Sequence, residues 1–344
     1  MTTADVTVRG AGIFGLSVAW ACARRGAKVR VIDPHGPGAG ASGGIVGALA
    51  PHVPENWNDK KAFQFDSLIM AEAFWAEVAS VSGLSPGYAR TGRVQPVTEA
   101  AALKLARDRE ISAGRLWQGK AAWRVEPARG DWCPHSPTGH VIHDTLSARL
   151  HPRRACHALA AALRATGAEV LCDGPDEGRV LWATGVAGLE ALNTGHPRLV
   201  GSGMKGQAAL LDLDARDRPQ LFADGLHIVP HADGTTAVGS TSERYHDDPA
   251  STDDQLDAVI ARAVAAVPAL ASARVIDRWA GIRPRARSRA PMLGAHPRHA
   301  GQFIANGGFK IGFGMAPKVA EVMADLMLDG RDAIPDGFRP EASL

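Results

Sequence analysis

Three glycines and one acid near the start of the chain have the types and spacing of a dinucleotide-binding turn. They stand in Gly10-Ala-Gly12-Ile-Phe-Gly15, after a β-prone run at 6–8, and in Asp33, which closes a second β-prone run. Such glycines permit a tight turn, a close approach of the backbone to a pyrophosphate, and close packing of helix on strand. The following helix N-terminus favours phosphate, and the acid can accept hydrogen bonds from ribose hydroxyls. The stretch therefore predicts dinucleotide binding, with a purely structural βαβ turn as the alternative.

A run of small residues follows from 36 to 54, rich in Gly, Ala, Ser and Pro. Such a run can be a flexible linker, because it lacks side chains that would pack a core. However, it begins just after Asp33 and contains Ile45, Val46 and Leu49. We therefore interpret it as a backbone-rich loop that lies against a large flat ligand.

The composition argues against several classes of function. The 344 residues include 38 basic and 36 acidic ones, a net charge of +2, which indicates neither a nucleic-acid surface nor a polybasic membrane patch. The four cysteines are scattered without a CxxC pair, so we expect neither a metal site nor disulfides. No apolar run approaches the roughly 20 residues of a membrane span. Because no signal peptide precedes the first predicted strand, we expect a cytoplasmic protein.

Hydrophobic periodicity and turn residues divide most of the chain into helices and strands. Helices are predicted over 60–81, 152–167, 252–267 and around Pro317, and strands at 6–8, 29–32, 180–185, 200–213, 226–240 and 303–306. Thr252, followed three residues later by Gln255, predicts a capping box for the third helix. The segment from about 90 to 140 does not divide clearly. Material of βαβ type occupies the start, middle and end of the chain, so we expect the chain to cross between two domains more than once.

Short motifs in a fixed order extend over nearly the whole chain. Besides the glycine turn and Asp33, they are the loop Ala41-Ser-Gly-Gly-Ile-Val-Gly-Ala-Leu-Ala-Pro51, Ala183-Thr-Gly185, Lys205-Gly-Gln207, Ile228-Val-Pro230, Val238-Gly-Ser-Thr241, Gly281-Ile-Arg-Pro284, Pro291-Met-Leu-Gly294 and Gly307-Gly-Phe-Lys-Ile-Gly-Phe-Gly314. With this order and spacing, the sequence resembles the FAD-dependent D-amino acid oxidase superfamily, especially its glycine oxidase and sarcosine oxidase branches.

The resemblance implies an α/β fold with two domains. One is a Rossmann-type FAD-binding domain formed by 1–53, 140–205 and 276–344. The other is an α+β substrate domain, formed by 54–139 and 206–275 and built on a mixed, largely antiparallel sheet. The substrate domain is expected to lie over the isoalloxazine ring.

The resemblance also implies FAD as the cofactor. The residues expected to contact it are Gly10, Gly12, Ile13, Phe14, Gly15, Asp33, Ala41, Ser42, Gly43, Gly47, Ala48, Leu49, Thr184, Gly185, Gly307, Gly308, Phe309, Lys310 and Ile311. Relatives that attach flavin covalently use a cysteine or a histidine. No cysteine stands near 283–294 and no histidine within 41–51, so we expect FAD to be bound non-covalently.

Three residues match positions that contact the substrate in the family. Arg283 matches the arginine that holds the substrate carboxylate, a task suited to a planar guanidinium; a surface arginine in a basic stretch, 285–289, is the alternative. Lys310 matches a lysine of sarcosine oxidases that also faces the carboxylate, and a structural or solvent-facing lysine is the alternative. His227 stands where glycine oxidases carry a tyrosine anchor. It could donate to a carboxylate or be a hydrogen-bonded structural histidine.

The family chemistry implies oxidation of a small amino acid or secondary amine at the carbon α to its carboxylate, with glycine, sarcosine and D-amino acids as examples. Hydride passes from Cα to flavin N5, the imine gives an oxo acid plus ammonia or an amine, and O2 is reduced to H2O2. One alternative is a dehydrogenase with a quinone or protein acceptor. Another is an oxidase of carboxymethylaminomethyl-uridine in tRNA, against which the charge balance argues. A flavin-binding module without turnover is a third. The sequence leaves the oligomeric state open, a homo-oligomer included.

Overall fold

The computed structural model describes residues 3–344 of the chain. In chain order its elements are β1 (Val6–Arg9), α1 (Ile13–Arg24), β2 (Val29–Ile32), β3 (Ala48–Leu49), α2 (Asp59–Ser82), β4 (Arg93–Pro96), α3 (Ala100–Leu116), β5 (Trp123–Pro127), β6 (His140–Asp144), β7 (Ala148–Arg149), α4 (Pro152–Ala165), β8 (Glu169–Leu171), β9 (Arg179–Trp182), α5 (Gly185–Asn193), β10 (Gly201–Asp212), β11 (Gln220–Ala223), β12 (Leu226–Pro230), β13 (Thr236–Gly239), α6 (Asp254–Ala266), β14 (Arg274–Ala286), β15 (Met292–Ala295), β16 (Phe303–Asn306) and α7 (Gly312–Ala324). Strands β3 and β7 form a separate two-stranded antiparallel sheet.

A six-stranded sheet forms the Rossmann-type half of the molecule. Its strand order is β15-β16-β9-β1-β2-β8, and all neighbours are parallel except β15 and β16. The central strands β1 and β2 are buried almost throughout, as expected of valine-rich parallel strands that helices cover. Helices α1, α2, α4 and α7 pack against one another in the same core. The predicted Rossmann-type sheet is thus confirmed.

An eight-stranded sheet forms the other half. Its order is β14-β10-β13-β12-β11-β4-β6-β5, and β11 and β4 are the parallel pair in an otherwise antiparallel sheet. Helix α6 covers part of it, with Leu256, Val259 and Ala263 buried against sheet residues such as Ile228 and Val238. The predicted mixed, largely antiparallel sheet is confirmed.

The two long strands β10 and β14 bring the halves together. They pair from Gly201 opposite Ala286 to Asp212 opposite Arg274, and helix α5 packs against both of them and against β16 of the smaller sheet. Because these strands and β6 belong to the larger sheet, the structure places 140–144, 201–205 and 276–286 there, whereas the sequence analysis assigned them to the FAD-binding domain.

Two local features differ from the sequence analysis. The segment from about 90 to 140, which the sequence did not divide clearly into elements, contains β4, α3 and β5. Helix α6 is capped by Asp253 and not by Thr252. The Asp253 backbone is extended, and its carboxylate accepts the Gln255 N–H at 3.0 Å. An aspartate is as good a cap as a threonine, so the helix starts one residue later than the motif suggested.

Candidate active site

One cavity of about 1010 Å³ is lined by both halves of the molecule. One end is formed by the turn after β1 and by the end of β2. The other end is formed by residues of β10, β12 and β14 and by the glycine-rich segment 307–310 after β16. All the cofactor-contact residues expected from the sequence line this cavity except Gly15, Gly43, Leu49 and Ile311. Its size and depth suit a large elongated ligand.

The glycine turn is constrained by close backbone contacts. Gly10 has φ +106°, and a Cβ there would lie 2.3 Å from the Ala183 carbonyl oxygen. A Cβ at Gly15 would lie 1.9 Å from the Gly10 oxygen, so Gly15 keeps helix α1 close to the turn and does not itself line the cavity. Ser42 Oγ accepts the Ile13 N–H at 3.0 Å, which joins the turn to the following loop. The backbone can therefore approach a ligand closely here.

Asp33 lies at the end of β2 and lines the cavity. One carboxylate oxygen accepts the Ala11 N–H at 2.8 Å, and the other accepts the His35 N–H at 2.9 Å. Since an ionised carboxylate has about four acceptor sites, each oxygen keeps capacity for a ligand hydroxyl. The geometry fits the predicted ribose contact.

The small-residue run is a held loop and not a free linker. His231 Nε2–H donates to the Ile45 carbonyl oxygen at 2.8 Å, and Leu150 N–H donates to the Gly47 oxygen at 3.0 Å. Leu49 is buried in the core instead of lining the cavity. Gly43 is required for packing, because a Cβ there would lie 2.3 Å from the Gly38 oxygen.

The glycines after β16 form the facing wall. Gly307 has φ +73°, and a Cβ at Gly308 would lie 2.9 Å from the Phe14 ring. Phe309 adopts φ +43°, so the backbone turns sharply before Ile311, which is the N-cap of α7 and lies off the cavity. This wall offers backbone and a helix N-terminus, which stabilises negative charge on a ligand.

Arg283 is a buried cation with neutral partners. Its side chain lies on β14, the residue is 8% exposed, and Nη2 donates to Ser240 Oγ at 2.7 Å and to the Thr241 oxygen at 3.2 Å. Within residues 3–344, Nη1 has no hydrogen-bond partner, and no carboxylate forms an ion pair with this guanidinium. Burial lowers its pKa to about 10, against the opposing effect of Glu243, so it stays charged near neutral pH. A surface arginine is therefore not what the structure shows.

Lys310 lines the same end of the cavity but is more exposed. Its ammonium lies 5.6 Å from the centroid of the Phe309 ring. Burial lowers the Lys310 pKa, and Arg283 and Arg285 act in the same direction. The nearby cations thus share one positive region that would attract an anionic ligand.

His227 is neutral, and its ring makes no hydrogen bond to any residue of 3–344. Its ring stands 4.7 Å from the Phe222 ring, and Nδ1 is buried without a hydrogen-bond partner in the described chain. Burial is the main cause that lowers its pKa to about 3, with Arg93 and Lys310 contributing. The imidazole can offer one hydrogen bond to a ligand at this end of the cavity, but not a positive charge.

Several lining residues were missed by the sequence analysis, among them Ser240, Phe222 and Trp279. A Cβ at Gly281 would lie 2.4 Å from the Trp279 ring, and one at Gly44 would lie 3.3 Å from it. Residues 279, 281 and 283 are every second residue of β14, so their side chains project from the same face of the strand. The pattern Trp-x-Gly-x-Arg within a predicted strand was thus the signal from which Trp279 could have been identified as a lining residue.

The charges along the cavity are unequally distributed. Among the described residues that line it, Asp33 is the acidic one, and it lies at the end formed by β2. The other end has Arg283 and Lys310 and no acid. No group of three or more histidine, cysteine or acidic side chains in 3–344 is placed to hold a metal ion. No helix in the same range is long and apolar enough to cross a membrane.

The comparisons with known proteins agree with this geometry. A family model described as FAD dependent oxidoreductase (DAO) matches residues 5–326. Glycine oxidase of Pseudomonas putida is 26% identical over an alignment 380 positions long, gaps included, which covers 99% of each chain.

Two solved structures have the same fold. The crystal structure of glycine oxidase from Geobacillus kaustophilus matches with a TM-score of 0.83 at 20% identity, covering 98% of each chain. That of iminodiacetate oxidase from Chelativorans sp. BNC1 also gives 0.83, at 21% identity, covering 97% of this chain and 98% of the other.

Proposed function

The chain belongs to the DAO family of FAD-dependent oxidoreductases, and on that premise we propose that it oxidises a small amine or amino acid whose reacting carbon is α to a carboxylate. FAD is its cofactor, and its reaction is the oxidation of a CH–NH or CH–NH2 group. The observation that carries the proposed substrate is Arg283, a buried guanidinium that lines the cavity and forms no ion pair with a carboxylate of residues 3–344.

The residues of the cavity fit FAD. The cradle of Gly10 and Gly12 would receive the pyrophosphate, the free acceptor sites of Asp33 the ribose, and the held loop 41–48 together with 307–309 the flavin ring. When bound there, FAD would supply a two-electron acceptor whose electrons can then reduce O2 to H2O2.

The cations at the substrate end decide which form of the substrate binds. Arg283 would pair with the carboxylate, and Lys310 adds positive potential beside it. The same potential disfavours an ammonium group, so the amine should bind in its neutral form. No acidic side chain of the described residues lines this end, which leaves orientation and electrostatics as the contributions of the chain.

We propose O2 as the electron acceptor, with an imine that water hydrolyses to an oxo acid and ammonia or an amine. A dehydrogenase would give the same first product with another acceptor. Oxygen uptake on substrate addition separates the two, since only an oxidase consumes O2. A cytoplasmic location is part of the same proposal.

The decisive experiment compares Arg283→Ala with the native enzyme. Anaerobic bleaching of the flavin against glycine, sarcosine, D-amino acids and modified nucleosides first identifies the best substrate. For a carboxylate substrate, loss of this charge-assisted contact should lower kcat/KM by an amount equivalent to about 2–5 kcal/mol. Arg274→Ala is the matched control, because Arg274 lies on the same strand in an exposed ion pair with Asp212. An unchanged kcat/KM in Arg283→Ala would show that the carboxylate is held elsewhere.

A further inference from the structure

Arg283 occupies space that exists only because its neighbour on β10 has no side chain. A Cβ built on Gly206 would lie 1.4 Å from Arg283 Nη2 and 2.1 Å from Cζ. Gly206 is paired with Gly281 across the strands, two residues from Arg283, so the guanidinium extends back over the ribbon and lies on Gly206. Any larger residue at 206 must displace the end of the arginine side chain.

The backbone of Gly206 does not itself require glycine. It is not among the glycines of the described chain that have φ in the left-handed region. An alanine can therefore adopt the same conformation, and the atoms it would meet belong to the far end of a flexible side chain. The expected result of such a substitution is a moved guanidinium in an intact strand.

A short loop after β13 forms the second wall of this space. Ser240 Oγ and the Thr241 oxygen both accept from Arg283 Nη2. Thr241 N–H donates to the Gln207 oxygen, and Gln207 N–H donates to Thr241 Oγ at 2.8 Å. The loop is thereby fixed to the residue that follows Gly206.

Buried charges fix the same loop from the other side of β10. Lys205 and Glu243 exchange backbone hydrogen bonds of 2.9 Å, and Lys205 Nζ lies 3.7 Å from the Glu243 carboxylate. Gln207 Nε2 donates to Glu243 and to Asp253 at 3.0 and 2.9 Å. Asp253 also lies 3.8 Å from the Lys205 ammonium, and Glu243 opposes the effect of burial on the Arg283 pKa.

We propose that Gly206 is a positioning residue, which together with Ser240 and Thr241 holds the Arg283 guanidinium where it can pair with the substrate carboxylate. This inference rests on the proposed function, because it assumes that Arg283 is the carboxylate anchor. Gly206 touches the arginine and acts through it. The Lys205–Gln207–Glu243 network holds the two walls together.

The test measures the binding of acetate to the holoenzyme through the change it causes in the flavin absorption spectrum, with acetamide as a neutral analogue. In Gly206→Ala, the dissociation constant for acetate should rise by roughly tenfold to hundredfold, as expected for a misplaced binding group. Flavin content and acetamide binding should stay unchanged. Gly114→Ala is the matched control, because Gly114 lies in helix α3 and a Cβ built on it would meet no atom within 4 Å.

A double variant separates positioning from a general structural effect. In an Arg283→Ala background, Gly206→Ala should weaken acetate binding by no more than about twofold, because the side chain it displaces is gone. An equal loss with and without Arg283, or native acetate binding by Gly206→Ala, would overturn the inference. If Arg283→Ala alone leaves acetate binding unchanged, the proposed carboxylate anchor fails first.

Ser240→Ala keeps the test decisive should Gly206→Ala not accumulate as folded holoenzyme. It removes one hydrogen-bond partner of Nη2 and adds no bulk. Acetate binding should weaken by roughly threefold to tenfold, the usual value of one hydrogen bond, and only while Arg283 is present. Native binding by Ser240→Ala would count against the inference.

Discussion

Arg283 and His227 illustrate how the electrostatic state of a side chain follows from its surroundings. Arg283 remains charged with neutral partners, at a cost that is tolerated where an anion binds. His227 is half-buried near Arg93 and Lys310, and the partial burial together with these two cations keeps it neutral. Two side chains at one end of the cavity thus take opposite charge states for reasons that are visible in the structure.

His227 should not contribute a titration to catalysis in the usual assay range. With a lowered pKa of about 3, it gains a proton only below that value, and its neutral form is constant from pH 5 upward. His227→Phe should therefore raise KM while leaving the limbs of the pH profile of kcat/KM in place. A limb near pH 6 that disappears in His227→Phe would contradict this. His157→Phe, on the exposed side of α4, is the control.

At the residue scale, sequence reasoning identified the charged groups but not their environment. Arg283 and Lys310 were found from family motifs, and both line the cavity. The contacts of Gly206 and Ser240 with the Arg283 guanidinium could not be predicted, because they depend on which residues of β10 lie opposite which residues of β14. Strand register is a tertiary property that a single sequence does not state.

At the scale of elements, the loop after β2 is held in place by a strand of the opposite sheet. His231, which follows β12, donates from Nε2 to the Ile45 oxygen, so its proton lies on Nε2 and its Nδ1 is an acceptor. Burial lowers the His231 pKa, and the ring packs 4.7 Å from that of His151. The half built on the larger sheet thereby supports the loop after β2.

Removing this donor should weaken FAD binding. His231→Leu leaves the buried Ile45 carbonyl without its hydrogen bond, a loss of about 1–3 kcal/mol. Titration of the apoprotein with FAD, followed by fluorescence, should give a dissociation constant at least about fivefold higher. His231→Gln retains an N–H donor and should recover part of the affinity. Equal affinities in the native and Leu proteins would show that the loop is held by its other contacts.

Sequence patterns predicted elements well where local signals were strong. The valine-rich strands of the Rossmann half and the helices α2 and α4 lie where periodicity placed them. The expected domain border at 276 falls within β14, because this strand pairs with β10 along its whole length and continues past that border. The residues of a long strand give no local signal of the sheet to which the strand belongs, so a domain border placed within β14 could not be recognised as such from the sequence.

At the scale of the whole molecule, several histidines are held neutral by burial. The pKa is lowered to about 3 for His227 and to about 4 for His151, and that of His231 is also lowered. In the unfolded chain these groups have pKa values near 6.5. Between the two values, the unfolded state binds more protons than the native state. The stability that depends on neutral histidines is therefore complete above about pH 6.5 and is lost as the pH falls toward 4.

Because this stability is lost in mild acid, the urea concentration at the midpoint of unfolding should fall as the pH is lowered from 6.5 toward 4.5. Each such histidine adds at most about 1.4 kcal/mol of unfolding free energy per pH unit in this window. His151→Phe should reduce the slope, since it keeps an aromatic ring beside His231 and removes one titrating group. The His151 side chain makes no capping hydrogen bond to α4, so no cap is lost. A slope identical to that of the native protein between pH 6.5 and 4.5 would show that His151 takes up no proton on unfolding in this range.

Because β10 and β14 are paired, the number of residues in each strand matters as much as their identity in this enzyme. Side chains alternate along a strand, so a slip by one residue would turn Arg283 and Trp279 to the reverse side without changing any residue type. The irregularity in this ribbon lies between Leu210 and Leu211, well away from the paired positions Met204 and Arg283. A single inserted or deleted residue near Arg283 would consequently turn this guanidinium away from the cavity, whereas the distal part of the ribbon already accommodates one extra residue.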